Sequence, residues 1–362
     1  MKKFLLICGL FLAALAPLPA SAALQVDVTQ GNAQPLPIAI PDMVAADPAQ
    51  AQMGANIAGV IRADLTRSGL FRSIDPKAFV EHITNINVSP TFQSWRAISA
   101  QGLVAGQVIL QPDGRLRVDF RLWDVYGESQ MLGQQFFTQP ENWRRVAHMV
   151  SDAIYERITG EKGYFNTRIV FIAESGPALK RIKRLAVMDE DGANPIYLTK
   201  GDYLVLTPRF NPTAQMIAYM SYIATKPHVY LFDLETGRQE ELGNFPNMTF
   251  SPRFSPDGNR VALTLENRGN SDIYVMDLRS RQVMRLTSDP AIDSAPSFSP
   301  DGRQITFESD RGGSKQIYVM NADGSGQKRI SFGAGETGRR SGAPAAISSP
   351  SPSSRARISP SG

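Results

Sequence analysis

Three histidines, one cysteine and two Ser-Pro-Asp-Gly turns are the residues of this chain from which a catalytic or metal site could be assembled. The sequence contains no Gly-x-Ser-x-Gly nucleophile elbow, no His-Glu-x-x-His pair and no phosphate loop ending in Gly-Lys-Ser/Thr. His82, His148 and His228 lie in separate segments, and His148 falls on the predicted solvent side of a helix. We therefore predict structural or surface roles for the histidines, and no catalytic residue, metal site or cofactor.

The aspartates of the Ser-Pro-Asp-Gly turns, Asp257 and Asp301, have a structural explanation. Proline presets the first corner of such a turn, aspartate bonds its own backbone, and glycine takes the positive φ. Calcium would need several more oxygen ligands nearby, which the surrounding sequence does not supply. These turns therefore point to the elements around them rather than to a metal.

Two motifs recur every 44 residues in the second half of the chain. A Pro-x-Phe motif begins at Pro208, Pro252 and Pro296 (in the last two followed by Ser-Pro-Asp-Gly), and an apolar motif ending in Asp or Asn begins at Leu185, Val229, Ile273 and Ile317. Each unit contains four short strand patterns, which predicts the blades of a β-propeller. A solenoid is the alternative, but solenoid repeats are shorter or carry helical spacing.

The first and last repeats are incomplete. Strand patterns at residues 168–174, 183–189 and 195–199 supply the second to fourth strands of the first blade, so its first strand should come from the far C-terminus. Instead, residues 336–362 hold eight serines, four prolines and no aromatic residue. We predict a disordered tail, which we interpret as a frameshift product, with a natural flexible tail as the alternative. The propeller, residues 163–335, would then comprise about three full blades and one partial blade.

The N-terminus has the parts of an export signal. Lys2 and Lys3 precede an apolar run and small residues up to Ala22, which predicts a signal peptide over 1–22, cleaved between Ala22 and Ala23. A lipoprotein acceptor at Cys8 is disfavoured because Ile7 precedes it. The formal charge of +4 resides in this signal and in the C-terminal tail, so the overall basic charge does not indicate nucleic-acid binding.

Residues 35–162 have the pattern of an α/β domain. Apolar residues recur at helical spacing from Met53 to Leu65 and again from Trp143 to Ile158, and the second helix should stop at Gly160. Alternating apolar residues over 116–122 predict a strand that pairs with residues 103–110 through a turn at Pro112-Asp-Gly.

Residues 1 to about 335 resemble the TolB family of the Tol-Pal system. The likeness rests on the signal peptide, on Ala63-Asp-Leu-Thr-Arg-Ser-Gly-Leu-Phe and Gly102-Leu-Val-Ala-Gly-Gln-Val, and on the Ser-Pro-Asp-Gly repeats that follow. The resemblance implies an α/β domain followed by a six-bladed propeller. It also implies a periplasmic, non-enzymatic protein that links the lipoprotein Pal at the outer membrane to TolA of the inner membrane, supporting envelope integrity and constriction during cell division.

The resemblance also implies two partner sites. Pal would dock on the propeller mouth, where the loops entering the first strands converge; the mouth residues are Thr207, Met248, Thr249, Phe250, Ser251, Ile292, Asp293, Ser294 and Ala295. TolA would bind the N-terminal segment, 23–34, through Ala23, Leu24, Gln25, Val26, Asp27, Val28, Thr29, Gln30 and Gly31. The strand-like alternation of this segment suits addition to a sheet edge.

Other functions stay open. An exported peptidase could carry such a propeller, with its hydrolase domain lost from this chain, and a scaffold could bind a small ligand in the ring channel. Other outer-membrane proteins are further candidate partners, whereas we expect no nucleic acid and no direct membrane anchor.

Overall fold

The computed structural model describes Leu24, residues 34–223 and residues 226–332. The chain divides into two compact units, Met1–Asn166 and Thr167–Gly362. The predicted signal peptide, most of the N-terminal segment and the predicted tail lie outside the described residues. Within the described ranges, no helix is both long enough and apolar enough to cross a bilayer.

The first unit is built on a six-stranded mixed sheet. Its elements, in chain order, are β1 (Leu36–Ala39), β2 (Val44–Ala45), α1 (Pro48–Arg67), β3 (Phe71–Ser73), α2 (Phe92–Ala97), β4 (Gly102–Leu110), β5 (Leu116–Asp124), β6 (Ser129–Thr138) and α3 (Trp143–Thr159). The strands follow the order β3-β1-β4-β5-β6, with β2 beside β4. The predicted β4–β5 hairpin is confirmed, with Leu110 paired to Leu116.

Helices α1 and α3 carry the apolar faces that the sequence predicted. Ile57, Ile61 and Leu65 of α1 and Val150 and Ile154 of α3 are fully buried in one core with the sheet. The Asp47 side chain accepts the Gln50 amide at the start of α1, at 3.0 Å. Gly160 closes α3 with φ of 77°, the left-handed conformation that glycine adopts without a steric penalty.

The first unit extends past the predicted boundary between residues 162 and 163. Asp152 of α3 accepts the amide of Phe165 at 2.7 Å and the amide of Asn166 at 3.2 Å. These bonds tie the connector to α3 as far as Asn166. Burial raises the pKa of Asp152, and the two amide hydrogen bonds act in the opposite direction.

The position predicted for His148 on the solvent side of α3 is wrong. His148 is only 2% exposed, and its Nδ1 lies 2.7 Å from Oδ2 of Asp64, which is fully buried in α1. Asp64 Oδ1 also accepts Nη2 of Arg67 at 2.8 Å. The predicted exposure failed because α1 packs on that side of α3 and supplies a carboxylate partner for the imidazole.

The described part of the second unit forms four consecutive antiparallel sheets, the blades. Blade 1 has the three strands β7 (Arg168–Ser175), β8 (Ile182–Asp189) and β9 (Ile196–Tyr197). Blade 2 has β10 (Val205–Phe210), β11 (Met216–Ser221), β12 (His228–Asp233) and β13 (Gln239–Glu241). Blade 3 has β14 (Thr249–Phe254), β15 (Arg260–Asn267), β16 (Asn270–Asp277) and β17 (Val283–Arg285). Blade 4 has β18 (Asp293–Phe298), β19 (Gln304–Ser309), β20 (Gln316–Asn321) and β21 (Lys328–Arg329).

This arrangement confirms the repeat-based prediction for the described residues: three full blades and one of three strands. The first strands β10, β14 and β18 begin 44 residues apart, and apolar clusters fill the space between successive blades. The Pro-Asp-Gly turns have the predicted roles as well. Asp257 accepts the Ser255 hydroxyl and the Asn259 amide, Gly258 has φ of 72°, and the hydroxyl hydrogen bond lowers the pKa of Asp257.

Candidate protein-binding site

The mouth residues lie at the starts of three equivalent strands. Thr249, Phe250 and Ser251 are the first residues of β14, and Asp293, Ser294 and Ala295 are the first residues of β18. Thr207 is the third residue of β10, which makes it the counterpart of Ser251 and Ala295. Because β10, β14 and β18 are the first strands of repeated blades, all these positions lie at the same end of their blades.

The mouth residues differ in exposure: some are buried, some half-buried and one is exposed. Thr249, Ser251 and Asp293 are buried and support the blades, whereas Ile292 is 44% exposed. Met248 and Phe250 are half-buried, as are Thr207, Ser294 and Ala295. The apolar side chains available to a partner are therefore Met248, Phe250 and Ile292.

The mouth carries the same backbone irregularity in each full blade. Thr207, Ser251 and Ala295 have φ of 47°, 55° and 53°, and each lies where the first strand shifts register against the second. A positive φ is costly for any residue with a side chain, and most costly for β-branched threonine. Each residue also precedes a proline, which further restricts its backbone. Such strained positions persist where the surrounding structure imposes them, and they concentrate at functional sites.

Thr207 is the most strained of the three, and its replacement by glycine should stabilise the propeller. Its Oγ1 is also buried without a hydrogen-bond partner among the described residues. We expect Thr207→Gly to raise the free energy of unfolding by about 1 kcal/mol, the relief of the left-handed backbone less the extra flexibility of glycine in the unfolded chain. Scanning calorimetry of the propeller transition would measure this. Thr207→Val, which replaces the hydroxyl by a methyl group and keeps the β-branch, is the comparison; a clear loss of stability in Thr207→Gly would contradict the assignment of strain.

Thr249 provides blade 2 with a hydrogen bond that each of the other blades makes to a hydroxyl of its own. The amide that opens the apolar motif is accepted by Thr199 in blade 1, by Thr287 in blade 3 and by Ser331 in blade 4, at 2.8–3.0 Å. Blade 2 has Gly243 at the corresponding position. There, Oγ1 of Thr249 accepts the Val229 amide instead, at 2.8 Å, so the start of β14 is fastened to blade 2.

A buried ion pair holds the start of β18. Asp293 is fully buried, and its Oδ2 accepts Nη2 of Arg311 at 2.7 Å, while the Arg311 guanidinium lies over the Tyr318 ring at 4.9 Å. In the neighbouring blade, Asp272 accepts Nη2 of Arg285 at 2.7 Å. Burial raises the pKa of Asp272, opposed by the Arg285 charge. The Asp293–Arg311 pair fixes the residue that follows Ile292, and the Ile292 amide itself donates to Oδ1 of Asp310 at 2.8 Å.

Two further apolar features lie at the same end of blade 2. Tyr203 and Leu204 precede β10 and are exposed, and Tyr222, which follows β11, donates its amide to the Leu204 carbonyl at 3.0 Å. The loop holding Tyr203 was marked by the repeat spacing. Tyr222 was not predicted as a mouth residue because it follows the second strand of its blade, whereas the prediction was limited to the loops that enter the first strands.

The predicted N-terminal binding segment is represented by one described residue. Leu24 packs half-buried against the core of the first unit, and its amide donates to Oδ2 of Asp124 at 3.3 Å. Ala23 and residues 25–31 lie outside the described residues.

Comparison with known proteins covers both units. The family model of the TolB amino-terminal domain matches residues 24–131, and that of the TolB beta propeller domain matches residues 155–347. The second match extends beyond Gly335, where the sequence resemblance was expected to end. The crystal structure of TolB from Acinetobacter baumannii is 34% identical, covering 83% of this chain and 72% of that chain with a TM-score of 0.70.

More remote structures share less. A putative TolB from Agrobacterium tumefaciens is 15% identical over 61% of this chain and 78% of that chain, with a TM-score of 0.39. A prolyl endopeptidase is 13% identical over 48% of this chain and 29% of that chain, with a TM-score of 0.38. Likenesses at this level carry no functional argument.

Proposed function

Because the chain belongs to the TolB family, we propose that it is a non-enzymatic, periplasmic component of the Tol-Pal system that connects Pal to TolA. The observation that carries the proposal is the match of both units to TolB, in the order amino-terminal domain and then propeller. This order favours a binding role over the peptidase alternative.

The mouth residues are the surface proposed for Pal. Met248, Phe250 and Ile292 offer apolar contact area, and buried hydrogen bonds and ion pairs fix the backbone around them. A rigid loop loses little conformational entropy when it binds, which favours affinity. Apolar anchors surrounded by supporting polar contacts are the usual composition of a protein interface.

TolA would bind the N-terminal segment, of which Leu24 packs against the core of the first unit. Deleting residues 23–31 is expected to abolish TolA binding while leaving Pal binding within about threefold of the intact chain, because the two sites lie in different units. Calorimetric titration with the periplasmic domain of each partner would measure both. The matched control deletes the exposed residues 87–89 of the same unit; ordinary TolA binding by the 23–31 deletion would refute the assignment.

A further inference from the structure

The connection between β7 and β8 projects an apolar tip. A single 3-10 turn, Ala178–Lys180, lies between Ser175 and Ile182, and Leu179 within it is 99% exposed. A single exposed leucine is ordinary on a protein surface. Its neighbours distinguish this one.

Four basic residues follow Leu179 along the chain. Lys180, Arg181, Lys183 and Arg184 follow it within five residues, and Glu174 is the carboxylate opposite them across the hairpin. Lys183 Nζ pairs with Oε1 of Glu174 at 2.7 Å. Lys180 and Arg181 are exposed, and neither forms a side-chain hydrogen bond or ion pair in the part of the chain that the structure describes. Their charges are available to a ligand.

Local contacts define the shape of this loop. Gly176 has φ of 85°, and a Cβ there would lie 2.8 Å from the carbonyl oxygen of Lys180, so the loop folds tightly back on itself. The Lys180 amide donates to Pro177 at 2.9 Å. At the base, the Arg184 guanidinium lies over the Tyr197 ring, 5.4 Å from its centre. The tip is therefore held away from the blade rather than packed onto it.

We propose that this basic tip, Leu179–Arg184, docks the second unit on an anionic phospholipid surface, with Leu179 entering the interface and the cations contacting headgroup phosphates. An apolar side chain flanked by lysine and arginine is the composition of peripheral membrane contacts. A lipid surface accepts a protruding tip without a matching pocket, whereas an acidic protein would have to provide a concave one. The tip lies at the mouth end of blade 1, because the end of β7 and the start of β8 correspond to those of β11 and β12.

Vesicle flotation tests the proposal on the exported chain, with its N-terminus established by mass spectrometry so that no uncleaved apolar segment contributes. Phosphatidylcholine vesicles with about one third phosphatidylglycerol should bind the protein at least tenfold more strongly than phosphatidylcholine alone. Binding should weaken as salt is raised. Lys180→Gln/Arg181→Gln should reduce the partition coefficient about 30-fold, and Leu179→Ser about tenfold.

The matched control is Arg303→Gln/Lys328→Gln, which removes the same charge from exposed positions of blade 4 and should bind as the parent chain does. Equal binding to both vesicle types, or a tip variant that binds like the parent, would overturn the proposal. Failure to bind either vesicle combined with tip-dependent retention on a polyglutamate resin would overturn it in favour of an acidic protein partner.

Discussion

Replacing Met248 and Phe250 together by glutamate is expected to weaken Pal binding at least 100-fold. Central apolar residues of protein interfaces contribute about 2 kcal/mol or more each when truncated, and a buried unpaired carboxylate adds a desolvation penalty. The partner's periplasmic domain, titrated calorimetrically against each variant, provides the measurement.

The control for this double substitution is Val283→Glu/Met284→Glu. These residues lie on β17 and are exposed to a degree comparable with Ile292, so the same chemistry is placed away from the mouth. Ile292→Glu is a second test, because its exposed side chain can be replaced without disturbing a blade. If Met248→Glu/Phe250→Glu fails to fold, Ile292→Glu still decides the question. Unchanged affinity in a folded mouth variant would refute the proposed Pal surface.

The blades were predictable because each repeats the same local pattern. Phe254 and Phe298 follow the same motif and both pack between blades, and the Asp257 turn follows from residue types alone. Local rules suffice where a residue's partners lie within its own repeat.

The details of the mouth were not predictable in this way. The amino-acid sequence gives no sign that Ser251 has a positive φ, because serine normally avoids that conformation. Gly243 lacks the hydroxyl that accepts the equivalent amide in the other blades, and Thr249 supplies this acceptor to blade 2 from blade 3. This hydrogen bond therefore depends on contact between the two blades. Both features arise from packing between repeats, which a local pattern does not encode.

His148 illustrates the same limit in the first unit. Its helical position suggested a solvent-facing side chain, and the approach of α1 buries it beside the Asp64 carboxylate. Asp64 offered a signal: it lies three residues after Ile61 and one before Leu65, on the apolar face of α1, and a carboxylate on such a face requires a buried partner.

The Asp64–His148 pair is expected to produce the largest stability change among single substitutions. Asp64→Ala should lower the free energy of unfolding of the first unit by about 3–5 kcal/mol, because it leaves the imidazole without its carboxylate in a site that excludes water. All three tryptophans, Trp95, Trp123 and Trp143, lie in this unit, so their fluorescence during urea unfolding reports its stability separately from that of the propeller.

Two further variants distinguish the contribution of the Asp64–His148 pair from the effect of losing any carboxylate. Asp42→Ala removes a carboxylate that lies before α1 and pairs at 3.1 Å with Arg62 of that helix; because Asp42 is exposed, its loss should cost less than about 1 kcal/mol. Asp64→Leu/His148→Leu removes both buried polar groups together and should be markedly more stable than Asp64→Ala, because it removes the imidazole along with the carboxylate that it contacts at 2.7 Å. Arg67 keeps access to water through its partly exposed side chain. If the double leucine variant is as unstable as Asp64→Ala, the cost lies in packing, and the pair does not make the contribution assigned to it.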